Sequence, residues 1–178
     1  QKLAKDDANA AWERFHFRGE NVESSRVREL VVGAVGSFKT SMKLLEVDAS
    51  TVKEGQTAHF AVFDCASCHH DLKFPAERQN RNQGVPGRPL LKLSDVELIR
   101  AVLDPMVADQ KMAGDEFATN LRELQKAVGD RPFGDPKDVQ KKAENLAKSC
   151  DRIAAALNTA TFDAAKTKKI HNELVKAV

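Results

Sequence analysis

The chain has no tyrosine, a single tryptophan, three cysteines and three methionines in 178 residues. Without tyrosine, chemistry that needs a tyrosyl radical or a tyrosine-to-cofactor cross-link is excluded. Long apolar runs are also missing. None approaches the roughly 18–20 residues that a membrane-crossing helix needs, which predicts no membrane span. An excess of one charge is missing too, with 28 basic against 26 acidic residues. That balance gives no argument for nucleic acid or an anionic membrane surface as the main partner. No internal repeat or low-complexity segment interrupts the chain. Its first residues, Gln1-Lys2-Leu3-Ala4-Lys5-Asp6-Asp7, lack an initiator methionine and an apolar signal core. The expectation is the mature form of an exported protein. The length suits one domain over 1–178, because a chain near ~150 residues buries roughly 68–70% of its unfolded surface.

What is present reads as helices joined by loops marked with glycine and proline. Residues 3–17 form a short candidate helix with Trp12, Phe15 and Phe17. Over 22–46, Val27, Leu30, Val31, Ala34, Val35, Phe38, Met42 and Leu45 recur at three and four, the stripe of an amphipathic helix. Gly33 and Gly36 weaken that helix or admit a close backbone approach. Residues 47–63, with His59-Phe60-Ala61-Val62-Phe63, are ambiguous between helix and extended chain. Ser94 and Glu97 make a capping box, and that helix is expected to stop at Asp104-Pro105. Further helices are expected over 115–128, over 137–158 and over 161–177. The middle one carries Val139, Ala143, Leu146, Cys150, Ile153 and Leu157 at steps of four and three. The predicted fold is all-α, a helical bundle-like domain.

Cys65-Ala66-Ser67-Cys68-His69 is the sharpest signal. A C-x-x-C-H run is the attachment motif of c-type haem. Its two thiols add across two vinyl groups on one porphyrin edge, and the adjacent imidazole is then held beneath the ring as the proximal iron ligand. A thioredoxin-like pair wants a βαβ context, and a zinc site wants a second ligand pair. Neither is in the sequence. One motif predicts one covalent haem c, held by Cys65, Cys68 and His69. Residues 71–93, with Pro75, Pro86, Pro89, Arg78, Arg81 and Arg88, then form a long loop whose natural role is to wrap the haem.

The opposite face of the iron is less determined. Candidates are His16, His59, His70, His171, Met42, Met106, Met112 and Cys150. His70 follows the proximal ligand directly and cannot reach round the ring. His171 sits among Lys168, Lys169 and Asn172, which suits a solvated side chain. Met42 lies on an apolar stripe, which suits the core. Cys150 is an odd cysteine in a protein expected where thiols oxidise, and its stripe points it inward. Iron ligation would explain both its burial and its survival as a free thiol. His16, His59, an open position and the methionines remain alternatives.

With Asp64-Cys65-Ala66-Ser67-Cys68-His69-His70-Asp71-Leu72, Arg78-Gln79 and Gly87-Arg88-Pro89, the chain resembles cytochromes of planctomycetes, including anaerobic ammonium oxidisers. Its single motif, helical remainder and lone extra cysteine resemble the small mono-haem subunits of the NaxLS type. That resemblance implies His/Cys ligation with Cys150 as the distal ligand. It also implies pairing as a heterodimer with a related cytochrome, or as a homodimer, in a periplasm or anammoxosome-type compartment. Thiolate ligation stabilises Fe(III), so the expected potential is low, and NO or CO would displace the sulfur on reduction. The leading expectation is a binder of diatomic gas with a sensing or redox role toward a protein partner. The alternative is an electron-transfer cytochrome with a His or Met distal ligand. No acid–base constellation lies near the motif, so an enzyme is not expected.

Overall fold

A computed structural model describes residues 20–53, 63–65, 69, 73–75, 88–92, 95–131 and 133–177. All regular elements among them are helices: α1 (Glu20–Thr51), α2 (Val96–Gly129), α3 (Pro136–Thr159) and α4 (Ala164–Ala177). The expected all-α class is therefore observed. The candidate helix over 3–17 lies outside the described residues. The most extensive packing is between α1 and α3, followed by α2 on α3 and α4 on α2. Among the described residues, no helix is long and apolar enough to cross a membrane.

The stripe on α1 is buried at Val31, Ala34, Val35, Phe38, Met42, Leu45 and Ala49. Leu30 departs from it and stands 58% exposed. At about 100° per residue it sits a quarter-turn from the line through Val31, Phe38 and Leu45, on the side away from α3. Phe38 meets Phe117 of α2 edge-on, with ring centroids 5.7 Å apart at 63°. Arg28 ties α1 to the α3–α4 connection: Nη2 donates to the Ala160 carbonyl at 2.7 Å, and the guanidinium lies 5.5 Å from the Phe162 ring centroid.

Two helices were expected where α2 runs unbroken from Val96 to Gly129, through Pro105. Proline in a helix interior removes one hydrogen bond and crowds the preceding turn. The helix continues because its buried face keeps phase across that point. Ile99 and Phe117, and likewise Leu103 and Leu121, are each 18 residues apart, about five turns at about 3.6 residues per turn. All four are buried in the one core. The start of α2 also differs from expectation. Its N-cap is Asp95, which makes no side-chain capping bond, while Ser94 is outside the described residues. Glu97 accepts from Arg100 Nη1 at 2.9 Å.

α3 and α4 begin with conventional caps. Asp135 Oδ1 accepts from the backbone of Lys137 at 3.1 Å and of Asp138 at 3.2 Å, with Pro136 as the first helical residue. Such a cap satisfies donors that have no intrahelical partner, and proline loses nothing there. Asp163 does the same for α4, accepting from Lys166 N at 2.8 Å. The last helix therefore starts at Ala164, three residues later than expected, and Phe162 is buried just ahead of it.

Two glycines give opposite predictions. A Cβ on Gly114, inside α2, would meet nothing within 4 Å. Gly114→Ala should raise unfolding free energy by about 0.5–1 kcal/mol. Gly134 has φ of 72°, and a Cβ there would lie 2.7 Å from both the Ala127 carbonyl oxygen and Val139 Cγ2. Gly134→Ala should cost more than about 1 kcal/mol, since strain and a backbone clash add. Thermal and urea unfolding of the two variants should move in opposite directions.

Candidate haem-attachment site

The motif hangs from a clasp. Phe63 pairs with Leu91 in an isolated antiparallel bridge, and Asp64 N donates to the Leu90 carbonyl at 2.7 Å. Both Phe63 and Leu91 are buried in the main core. Between these two core residues Cys65, His69, Lys73, Phe74 and Pro75 are exposed, on the excursion that carries the motif. The Phe63 ring meets Phe133 edge-on, centroids 5.6 Å apart at 63°. Phe133 stands just ahead of the Asp135 cap, so the neck of the excursion is fixed at the N-terminal end of α3. Neither half of this aromatic pair was identifiable as site-forming from sequence, because 70 residues separate them and neither carries a chemical signal.

Beyond the clasp, one backbone bond joins the two described residues of the motif. His69 N donates to the Cys65 carbonyl at 2.7 Å, the four-residue closure of an α-helix. Residues four apart on such a turn lie on one side of it. Cys65 and His69 are both exposed. Cys68 lies outside the described residues. A thiol and an imidazole exposed on one turn are open to a large planar group arriving from outside, which is the steric condition for haem attachment. Phe74, close along the chain, is 87% exposed. An aromatic ring so placed is available to cover such a group.

Cys150 sits elsewhere. All six residues of the expected stripe on α3 are buried, and Cys150 has 0% exposure. Burial pushes its thiol up to about 12, with a further push from the Asp151 carboxylate and an opposing pull from Lys39. The thiol is therefore protonated at neutral pH. Its surroundings are the α1–α3 contact, where Lys39 Nζ pairs with Asp151 Oδ1 at 2.5 Å. Cys150 is 14 residues beyond Pro136, about 21 Å along the helix at about 1.5 Å per residue. Phe133, which packs against Phe63 of the clasp, stands near the other end of that length. Among the described residues, no group of three or more His, Cys, Asp or Glu side chains converges to hold a metal.

The other sequence candidates divide cleanly. Met42 is buried in the core and His171 is exposed on α4, as their surroundings predicted. His16, His59 and His70 lie outside the described residues, as do Arg78, Arg81 and the side chains of Met106 and Met112. Arg88 is half-buried. Sequence reasoning missed Ser149, which is buried beside Cys150. Its hydroxyl accepts from Asn120 Nδ2 at 2.6 Å and donates to the Asn145 carbonyl at 3.1 Å. A serine next to an otherwise apolar stripe was the available signal.

No protein-family model, no curated protein and no solved structure matches the chain.

The Cys150 environment sets a pH dependence. Its folded-state pKa lies above the ordinary 9.0, so the stability that the neutral thiol contributes is complete below about pH 9. It is lost as pH rises toward about 12, because the unfolded chain releases the proton first. With no tyrosine to ionise in that window, Cys150→Val should flatten the alkaline fall in unfolding free energy. Alkylation should agree: iodoacetamide at pH 8 should leave Cys150 unmodified in native protein and modify it in urea, as read by peptide mass spectrometry.

Proposed function

We propose that this chain is a mono-haem c-type cytochrome acting as an exported electron carrier. Cys65 and Cys68 form the two thioether bonds, and His69 is the proximal iron ligand. The observation that carries the reading is the exposed helical turn closed by His69 N and the Cys65 carbonyl, in C-x-x-C-H spacing. When bound, the haem supplies one-electron redox chemistry. The protein supplies position. Phe63, Leu91 and Phe133 hold both ends of the motif-bearing excursion against the helices. Phe74 would supply apolar cover, and Lys73, Arg88 and Lys92 are described basic residues near the motif along the chain that could pair with the haem carboxylates. The distal ligand is then a histidine or methionine, and the partner is a redox protein. No acid–base pair accompanies the motif, in keeping with a carrier.

A second reading is favoured by one observation: Cys150 is the sole cysteine outside the motif, buried and free. In it, Cys150 is the distal thiolate and NO or CO displaces it, so the protein is a low-potential gas binder that signals or exchanges electrons. In that reading the iron would supply the cation that a deprotonated Cys150 needs in this buried seam, and binding would release the thiol proton.

Absorption and low-temperature EPR on the haem-loaded chain, wild type and Cys150→Ala, in both oxidation states, separate the two. An electron carrier with Cys150 in the core gives unchanged spectra in the variant. Loss of a red-shifted ferric Soret band in Cys150→Ala, with NO binding to the reduced wild type, establishes the second. Cys65→Ala with Cys68→Ala should abolish covalent haem in a denaturing gel stained for peroxidase activity. Haem retention in that double variant would sink both readings.

A further inference from the structure

Among the described residues, one non-glycine side chain stands on left-handed backbone: Phe133, with φ of 69°. A bulky residue in that region is an outlier, because its Cβ crowds the following carbonyl. Glycine takes the same conformation at no steric cost, and the next residue, Gly134, does so at φ of 72°. A phenylalanine kept where glycine would be unstrained points to a use for its ring. Burial alone does not supply that use, since Phe133 is only half-buried.

The turn around Phe133 is fixed from both sides. Gly134 N donates to the Arg131 carbonyl at 2.9 Å, and Arg131 Nε donates to the Gly134 carbonyl at 3.2 Å. Arg131 Nη2 donates to Asp135 Oδ2 at 2.5 Å, while the other oxygen of that carboxylate caps α3. On the α2 side, Gly134 lies so close to the Ala127 carbonyl and Val128 that a Cβ has no room. The backbone of Phe133 is thus held between the end of α2 and the start of α3, with its ring against Phe63. From Phe63 the contacts continue along the chain. Asp64 N donates to the Leu90 carbonyl, and Cys65, the next residue, accepts from His69 N.

We propose that Phe133 is a positioning residue for the site that Cys65 and His69 form. Strain at its backbone is accepted because it turns the ring onto Phe63, and Phe63 sets where the segment bearing Cys65 and His69 stands against the helices. The inference rests on the haem reading and deepens it by naming the residue that governs the placement of His69.

Hydrogen exchange and low-temperature EPR on the haem-loaded chain test it in three variants. Phe133→Gly removes ring and strain together, Phe133→Ala removes the ring and keeps the strain, and Phe133→Tyr keeps both. Circular dichroism should show unchanged helical content in all three, because Phe133 lies outside the helices. Exchange at the Asp64 and His69 amides should quicken roughly five- to tenfold in Phe133→Gly and in Phe133→Ala, the range an aromatic pair supplies. That rise should exceed any change at Leu146 and Ile153 in the buried line of α3. The ferric EPR signal should broaden in the same two variants, as His69 samples more than one placement, and Phe133→Tyr should restore it. Thermal unfolding should rank Phe133→Gly above Phe133→Ala, since glycine relieves the strain. In a Phe63→Leu background, Phe133→Gly should add no further exchange at Asp64 and His69, because the effect runs through Phe63. Covalent haem with exchange at those two amides unchanged, or raised equally at Leu146 and Ile153, overturns this inference and leaves the haem reading standing. A wild-type chain that takes no covalent haem overturns both.

Discussion

The seam between α1 and α3 is the constraint on which the other packing depends. α3 lays Val139, Ala143, Leu146, Cys150, Ile153 and Leu157 in one buried line, and α1 answers with Val31, Val35, Phe38, Met42 and Leu45. Burying a Val, Leu, Ile, Phe or Met side chain is worth about 1.5–3 kcal/mol each, so this seam holds a large share of the driving force. α2 then crosses both helices through Phe117, Leu121 and Leu124, and α4 closes over Ile170. Cys150 is explained within this seam as a small apolar residue in a tightly filled line. A thiol buried there is stable because it stays protonated, the pull of Lys39 being smaller than the cost of burial.

The motif is attached to this core without being part of it. Phe63, Leu91 and Phe133 are the points at which an excursion rich in proline, glycine and arginine is fastened to the helices. A large ligand can be added outside such a core without disturbing the seam. The division also separates two chemistries along α3. The exposed turn with Cys65 and His69 belongs to the N-terminal end, whereas the buried thiol belongs to the middle.

Much of the fold was legible in the sequence because helix periodicity is a local property. The stripes of α1 and α3 were read to within a few residues of their observed ends, since three-and-four spacing survives any tertiary arrangement. Pro105 misled because a local penalty was weighed without the phase on either side. The in-register burial of Ile99 with Phe117 and of Leu103 with Leu121 outweighs one lost hydrogen bond. The start of that helix was read one residue early, since its N-cap is Asp95. Leu30 fitted the repeat but stands outside the core, because its direction depends on where α3 lies.

By itself the sequence determined the helical class, the motif Cys65-Ala66-Ser67-Cys68-His69 and the inward direction of Cys150, each of which depends on spacing along one segment. The tertiary structure alone decided which end of α3 the motif is fastened to, how far Cys150 stands from that end, and that Leu44 and Val47 face away from the core. Those relations join residues tens of positions apart. They follow from how apolar stripes on different helices share one buried surface, a condition of the whole chain that no local spacing encodes.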